Sequence, residues 1–266
     1  MAKREIYDMI KRATVAITAA TSNPMPNQPP FKIVGSGFCV HPNGIILTCT
    51  HVFESFFPPR ANPYEDHYHR TLTKRLGDGV HVPVDLKPFG ILVRGKIEGS
   101  QILMHQLGVS GAVEVKETDL ALIKIKMDRS LFPDGFPTVE IADYGDLYEM
   151  MGVATCGYPF GDYLWRQTGS VSSSFTKGAL STICPLPGIA LEHLDSFQLD
   201  LTSFEGNSGG PVFCAKTGKV FGVLRSGIRE PKKDQDIVGL SIAEPIYPAF
   251  KDQLIEKLLV GPKSPA

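Results

Sequence analysis

Along most of this chain, apolar residues alternate with polar ones or stand in short unbroken blocks, and Gly, Pro and Asn separate the blocks. That pattern specifies β-strands joined by turns. The two ends differ. Residues 5–12 place Ile6, Met9 and Ile10 on one face of a short helix. Residues 247–259 place Phe250, Leu254, Leu258 and Leu259 roughly on one face of a closing amphipathic helix, ended by Gly261 and Pro262.

Between these ends the first strand is Thr14-Val15-Ala16-Ile17-Thr18, and four prolines between residues 23 and 30 require a loop or an extended connector. The clearest hairpin runs from Ile33 through Gly35-Ser36-Gly37 to Val40, turns at Pro42-Asn43-Gly44, and returns through Ile45-Ile46-Leu47-Thr48-Cys49-Thr50. Asn-Gly favours a tight reversal. Residues 54–111 are less regular: a stretch rich in proline and aromatics, with His67 and His69, reads as a long excursion, after which residues 80–84, 90–94 and 101–105 alternate like strands. Thr118-Asp119 then opens the apolar strand Leu120-Ala121-Leu122-Ile123. A proline-rich turn at 132–137, continuing to Gly145-Asp146, is the expected seam between two halves. The second half reads as a strand ending in a tight loop over 152–161, then strands at 166–173, 196–201, 219–227 and 239–242.

A length of 266 residues accommodates one large β domain or two barrels. Apolar content of 42% and charged content of 21% are those of a globular protein, and a net charge of -1 excludes a globally basic surface. Nucleic acid and anionic membrane are therefore not expected partners. No block reaches the roughly 18 apolar residues of a membrane span. The first residues, Met1-Ala2-Lys3-Arg4-Glu5, carry no apolar h-region, so a cytoplasmic setting is expected. Five cysteines (Cys39, Cys49, Cys156, Cys184, Cys214) are odd in number and lack CxxC spacing. Reduced, buried thiols are expected, with a Cys156–Cys214 bridge between two strands left open.

The candidate chemistry centres on Gly206-Asn207-Ser208-Gly209-Gly210, set between apolar runs. Glycines let the backbone turn with positive φ and keep side chains away from a nucleophilic hydroxyl, and successive N–H groups can converge on an oxyanion. A glycine-rich hairpin turn explains the same residues without chemistry. A serine nucleophile needs a histidine base and an acidic orienter. His51, at the end of the hairpin, and Asp119, at the mouth of an apolar strand, are the candidates, although a strand-end histidine and a turn-forming aspartate are also common structural residues. His67 and His69 are a weaker pair that would need a third ligand to hold a metal. No metal or organic cofactor is expected.

The three motifs resemble those of the trypsin-like serine proteases, in the same order along the chain: Gly-Ser-Gly-Phe through Leu-Thr-Cys-Thr-His-Val, Thr-Asp-Leu-Ala-Leu-Ile, and Gly-Asn-Ser-Gly-Gly-Pro. Within that family, Cys-Gly-Tyr-Pro-Phe-Gly at 156–161 and Gly-Leu-Ser-Ile-Ala-Glu-Pro-Ile at 239–246 resemble the protease domain of the HtrA/Deg branch, over roughly residues 10–260. The His51-to-Asp119 link is longer than that branch usually has, and the sequence ends soon after the closing helix, where a PDZ domain is not expected. Val52 and Phe204 stand where secreted digestive members carry disulfide cysteines, and Asn207 replaces the aspartate used in zymogen activation.

The resemblance implies an all-β fold of two antiparallel six-stranded barrels with a short N-terminal and a C-terminal helix. The expected divisions are an N-terminal segment at 1–30, a first barrel at 31–145, a second at 146–247, and the helix and tail at 248–266. It implies a serine endopeptidase with His51, Asp119 and Ser208 as triad and Gly206, Asn207 and Ser208 as oxyanion hole. Leu224, Arg225 and Ser226 would pair with substrate, and Thr202 would lie near the base of the S1 pocket, favouring small or medium apolar P1 residues. Polypeptides are the expected partners, with homo-oligomers neither required nor excluded. The rival is a trypsin-like module that grips peptides without cutting them, or that waits for a partner to order its loops.

Overall fold

The computed structural model describes residues 3–20, 31–56, 73–75, 80–83, 89–98, 101–168, 171–184, 194–230 and 235–260. His67 and His69 lie outside them.

Helix α1 (Lys3–Ala13) leads directly into β1 (Thr14–Ala20). With β2 (Phe31–His41), β3 (Ile45–Cys49), β6 (Phe89–Glu98), β7 (Gln101–Glu114) and β8 (Leu120–Ile125) it closes the first barrel, in the ring order β7-β6-β1-β2-β3-β8 sealed by β7–β8 pairing. All pairings in it are antiparallel. The barrel therefore includes a strand from before residue 31, since β1 pairs with both β2 and β6. Two short strands, β4 (Thr73–Arg75) and β5 (Val80–Pro83), form a hairpin that joins β7 at Val80↔Val113 and His81↔Ala112, outside the closed ring. Residues 89–98 and 101–111 of the 54–111 excursion are thus barrel wall.

The second barrel closes as β10-β11-β14-β13-β12-β9, from β9 (Gly152–Gly157), β10 (Ser174–Cys184), β11 (Ser196–Asp200), β12 (Pro211–Cys214), β13 (Val220–Glu230) and β14 (Gln235–Pro245). Large apolar side chains of the strands are fully buried, among them Phe38, Ile45, Ile46 and Leu47 in the first barrel and Phe197, Phe213 and Phe221 in the second. Apolar burial of this kind, at about 1.5–3 kcal/mol per large side chain, is the main force closing the rings.

The terminal helices tie the barrels together. α1 feeds the first barrel but packs on the second, with Ile6 and Ile10 buried and the Tyr7 ring edge-on to Phe175 at 5.0 Å. The C-terminal helix α3 (Leu254–Val260) lies against β7 and β8 of the first barrel, where Lys124 Nζ donates to the Leu259 carbonyl (3.0 Å).

Two local expectations are corrected. Residues 166–173 are not a strand: helix α2 (Gly161–Thr168) occupies the first part, and β10 starts only at Ser174. The start of α2 is set by Phe160, at φ 51, and by Gly161, packed so tightly on Ile33 that a Cβ would stand 2.5 Å from Ile33 Cδ1. The closing helix is also shorter than the 247–259 pattern. Pro248 starts a single 3-10 turn (Tyr247–Phe250), and Asp252 and Gln253, at φ 57 and 53, break the chain before α3 begins. Cys39, Cys49, Cys156 and Cys214 are free thiols, so the Cys156–Cys214 bridge is not formed.

Candidate active site

Strand β3 ends at Cys49 opposite Leu120, and this register puts the mouth of β8 beside the residues that follow β3. Thr50 fixes the junction: its N–H donates to the Asp119 carbonyl (2.8 Å) and its Oγ1 donates to the Leu120 carbonyl (2.9 Å). Asp119 then grips the next residue twice. Its Oδ1 accepts the His51 backbone N–H (3.1 Å), and its Oδ2 lies 2.6 Å from His51 Nδ1. The ring is thereby fixed in orientation, with Nε2 left as the free nitrogen. His51 is exposed, while the Asp119 side chain is only 16% exposed. Burial pushes the Asp119 carboxyl up, but the bonds and charge from His51, with a smaller contribution from Arg225, outweigh it and hold it below the ordinary range.

The serine loop is built by its glycines and by one residue of the first barrel. Gly206 (φ 94) and Gly209 (φ 86) hold the left-handed turns. At Gly206 a side chain would also strike the Tyr158 carbonyl. Ser36 reaches across from β2 as a strut: its N–H donates to the Ser208 carbonyl (2.8 Å), and its Oγ donates to the Gly206 carbonyl (2.6 Å) while accepting from Tyr158 N–H (3.0 Å). Thr48 in turn donates to the Ser36 carbonyl (2.7 Å). The serine loop thus rests on the same hairpin that carries His51. Gly35 marks the meeting point, since a Cβ there would stand 2.5 Å from Val52 Cγ1, next to His51, and 3.1 Å from the Ser208 carbonyl oxygen.

Ser208 Oγ and His51 Nε2 make no hydrogen bond to each other or to other described residues. Among the expected oxyanion donors, the Asn207 N–H is engaged by the Phe204 carbonyl (3.0 Å) and Asn207 itself is buried. Asn207 is therefore a structural residue of the loop. The N–H groups of Gly206 and Ser208 have no acceptor among the described residues.

Leu224, expected to face substrate, is turned inward. It is fully buried, its N–H donates to the Gly210 carbonyl (2.8 Å), and its own carbonyl accepts from Gly209 N–H (2.7 Å) and from Cys49 Sγ (3.4 Å). After it β13 pairs with no described strand on that side: β12 is paired only as far as Val223, while β14 continues along the other side to Glu230. Arg225 and Ser226 lie on that stretch, and Thr202 is half-buried beside the buried Ser203–Ser241 hydroxyl pair (2.9 Å). Cys49 Sγ, His51 and Asp119 lie within 4.8 Å of one another, but burial keeps the Cys49 thiol protonated, with the charges of Asp119 and Glu244 adding to the effect.

Ser36, Glu244 and the direction of the Arg225 side chain escaped the sequence reading. For Ser36 a signal existed: a hydroxyl flanked by glycines in a buried strand must have partners, and close backbone approach is what flanking glycines allow. Ser36→Ala removes the hydroxyl that donates to the Gly206 carbonyl and accepts from the Tyr158 N–H, and urea denaturation is expected to register a loss of about 2–4 kcal/mol.

The family model of the trypsin-like peptidase domain matches residues 35–223, which takes in the histidine hairpin, the aspartate strand and the serine loop. The chain belongs to this trypsin-like peptidase family. Among the curated relatives of this trypsin-like domain is a probable periplasmic serine endoprotease DegP-like of Rickettsia conorii, 26% identical over 94% of this chain and 39% of the relative. A protein of the same name from Halomonas elongata is 27% identical over 84% and 35%. The chain thus spans well under half of each relative's length. In fold it is similar to a serine-to-alanine variant of AlgW, an HtrA-type protease, solved with a tripeptide (TM-score 0.57, 18% identity, 96% of this chain and 64% of that one) and with a decapeptide (TM-score 0.58, 17% identity, 96% and 67%). These neighbours carry the trypsin-like double barrel. Both curated relatives are named periplasmic, so the cytoplasmic setting expected from the first residues finds no support. Among the described residues no helix is long and apolar enough to cross a membrane.

Proposed function

We propose that this domain is a serine endopeptidase acting on polypeptides through an acyl-enzyme. The observation that carries the reading is the His51–Asp119 pair, closed at 2.6 Å, beside a serine loop whose Gly206 and Ser208 amides lack acceptors among the described residues. Ser208 Oγ attacks the scissile carbonyl carbon as its proton passes to His51 Nε2, and Asp119 stabilises the imidazolium it holds. Both amides receive the oxyanion. Collapse breaks the C–N bond, the His51 proton leaves with the amine, and water repeats the sequence to free Ser208. The Ser208–His51 hydrogen bond forms when substrate closes the site.

The side of β13 from Arg225 onward that pairs with no described strand suits an extended peptide added as a strand, and the peptide-bound neighbours are consistent with that mode. Thr202, neutral and half-buried, offers no counter-charge to a basic P1 side chain, so cleavage after small or medium apolar residues is expected. Cleavage of a peptide library mainly after Arg or Lys overturns this preference. Two observations support a second reading, in which the domain is silent until a partner orders it: the missing Ser208–His51 bond, and the buried Asn207 Nδ2, which has no hydrogen-bond partner among the described residues. A fluorophosphonate probe separates them. Labelling of the protein alone, lost in Ser208→Ala, marks an active enzyme; labelling only with an added partner marks a latent one; none under either condition rejects catalysis.

A further inference from the structure

Arg225 sits where β13 carries one residue too many. Leu224 is opposite Ala243 and Ser226 is opposite Ile242, so Arg225 is the extra residue of a bulge and has no opposite number on β14. A bulge re-aims its side chain. Here the guanidinium swings over the triad carboxylate: Nε lies 3.6 Å from Asp119 Oδ2, the oxygen that also receives the His51 ring, and Nη1 donates to Glu244 Oε1 at 3.2 Å. Glu244 comes from β14, with its side chain only 10% exposed. A carboxylate so placed needs a cation, and among the described residues Arg225 is the one paired with it.

We propose that Arg225, locked in its bulge by Glu244, is a positioning residue that braces the Asp119 carboxylate against the His51 ring and keeps the pair poised to act as a base at lower pH. This rests on the endopeptidase reading only for its kinetic consequence, since the electrostatics hold for the dyad itself.

The charge balance around the pair is explicit. Cys49, from β3, is a neutral thiol; Arg225, from β13, is permanently positive; Glu244, from β14, is one step further out and itself feels Asp195, just before β11. Burial pushes Glu244 up, and Arg225 is the largest opposing influence. On Asp119, His51 and Arg225 are the charges that favour the ionised carboxylate. A fixed positive charge opposes uptake of another proton by the dyad, so the midpoint of the dyad lies lower with Arg225 than without it. Arg225 consequently offers substrate its backbone edge, while its side chain serves the triad.

The test follows the His51 ring by NMR across pH at low salt, in parallel with the rate of labelling by a fluorophosphonate probe. Arg225→Gln is expected to raise the midpoint, and the acidic limb of labelling with it, by about half to one pH unit, and high salt shrinks the difference. Arg225→Lys keeps the charge and most of the midpoint. In a Glu244→Gln background the Arg225→Gln shift falls by at least about half, because the lock is already open. A midpoint that Arg225→Gln leaves unchanged or lowers overturns the proposal, and equal shifts in both backgrounds overturn the role given to Glu244. If the probe labels nothing while the midpoint still moves, the endopeptidase reading fails and the brace on the dyad stands.

Discussion

Ser208→Ala and His51→Ala are each expected to lower kcat for peptide hydrolysis by about 10⁶, and Asp119→Asn by about 10⁴, as in other triads. A factor of about 10⁶ corresponds to about 8 kcal/mol of transition-state stabilisation, far more than any of these residues contributes to folding. Ser208 Oγ makes no hydrogen bond among the described residues, so Ser208→Ala is expected to unfold within about 0.5 kcal/mol of the parent. Asp119→Asn keeps an acceptor for the His51 N–H at 3.1 Å but presents a neutral amide to Nδ1, which loses the orienting charge and favours the wrong tautomer. Double variants should be no worse than Ser208→Ala alone, because the residues act as one unit. Burst and steady-state kinetics on a fluorogenic peptide check all of this. A Ser208→Ala protein that retains more than about 1% of the parent rate would assign the nucleophile elsewhere.

The readable parts of the sequence were those in which local chemistry leaves little freedom. Asn43-Gly44 forced a hairpin, and Gly44 indeed turns with φ 77. Once that hairpin and the apolar strand after Asp119 are paired in the register Cys49↔Leu120, His51 and Asp119 must meet, since both hang from the same end of adjacent strands. The serine loop announced itself through glycines whose positive φ and crowding admit nothing larger. What was illegible depended on pairings across long separations. Nothing in Leu224-Arg225-Ser226 reveals that a bulge against β14 turns Leu224 inward and throws Arg225 over Asp119. Asn207 looked like part of an oxyanion hole until the turn to Phe204 engaged its N–H. The 166–173 segment failed for another reason: a short alternation fits a surface helix turn as well as a strand, and the packing of Gly161 on Ile33 decided between them.

The crossing of the termini gives the site its rigidity. The serine arises from the second barrel and the histidine and aspartate from the first, so any rocking between barrels moves nucleophile and base apart. Tyr7 against Phe175 at one end and Lys124 on the Leu259 carbonyl at the other oppose that motion from outside. Ser36 opposes it from inside, at the point where the two barrels share hydrogen bonds. A displacement of about 1 Å between reacting groups costs roughly 10² in rate, which is the scale on which these ties matter.

Gly209→Ala is expected to be the most damaging conservative change in the fold. The residue turns at φ 86, and the added methyl would collide with the Ser36 carbonyl and with Thr48 Oγ1, which are themselves hydrogen-bonded at 2.7 Å. Three costs combine there: about 1–2 kcal/mol for a left-handed alanine, about 1–3 kcal/mol for overpacking, and about 1–3 kcal/mol if the Thr48–Ser36 bond breaks. A total of roughly 3–8 kcal/mol is a large part of the ~5–15 kcal/mol that stabilises a typical domain. Gly152→Ala is the matched control, because nothing stands within 4 Å of a Cβ at Gly152 and the residue is exposed. It should be neutral or stabilise by about 0.4–1 kcal/mol through the unfolded chain. Urea denaturation of both proteins, followed by probe labelling of whatever Gly209→Ala protein remains folded, reads the two effects separately. Labelling slower than the parent by roughly 10²-fold or more is expected, since the Gly209 amide bonded to Leu224 helps set the position of Ser208. A Gly209→Ala protein as stable and as reactive as the parent would mean that the serine loop does not rest on the Ser36–Thr48 strut.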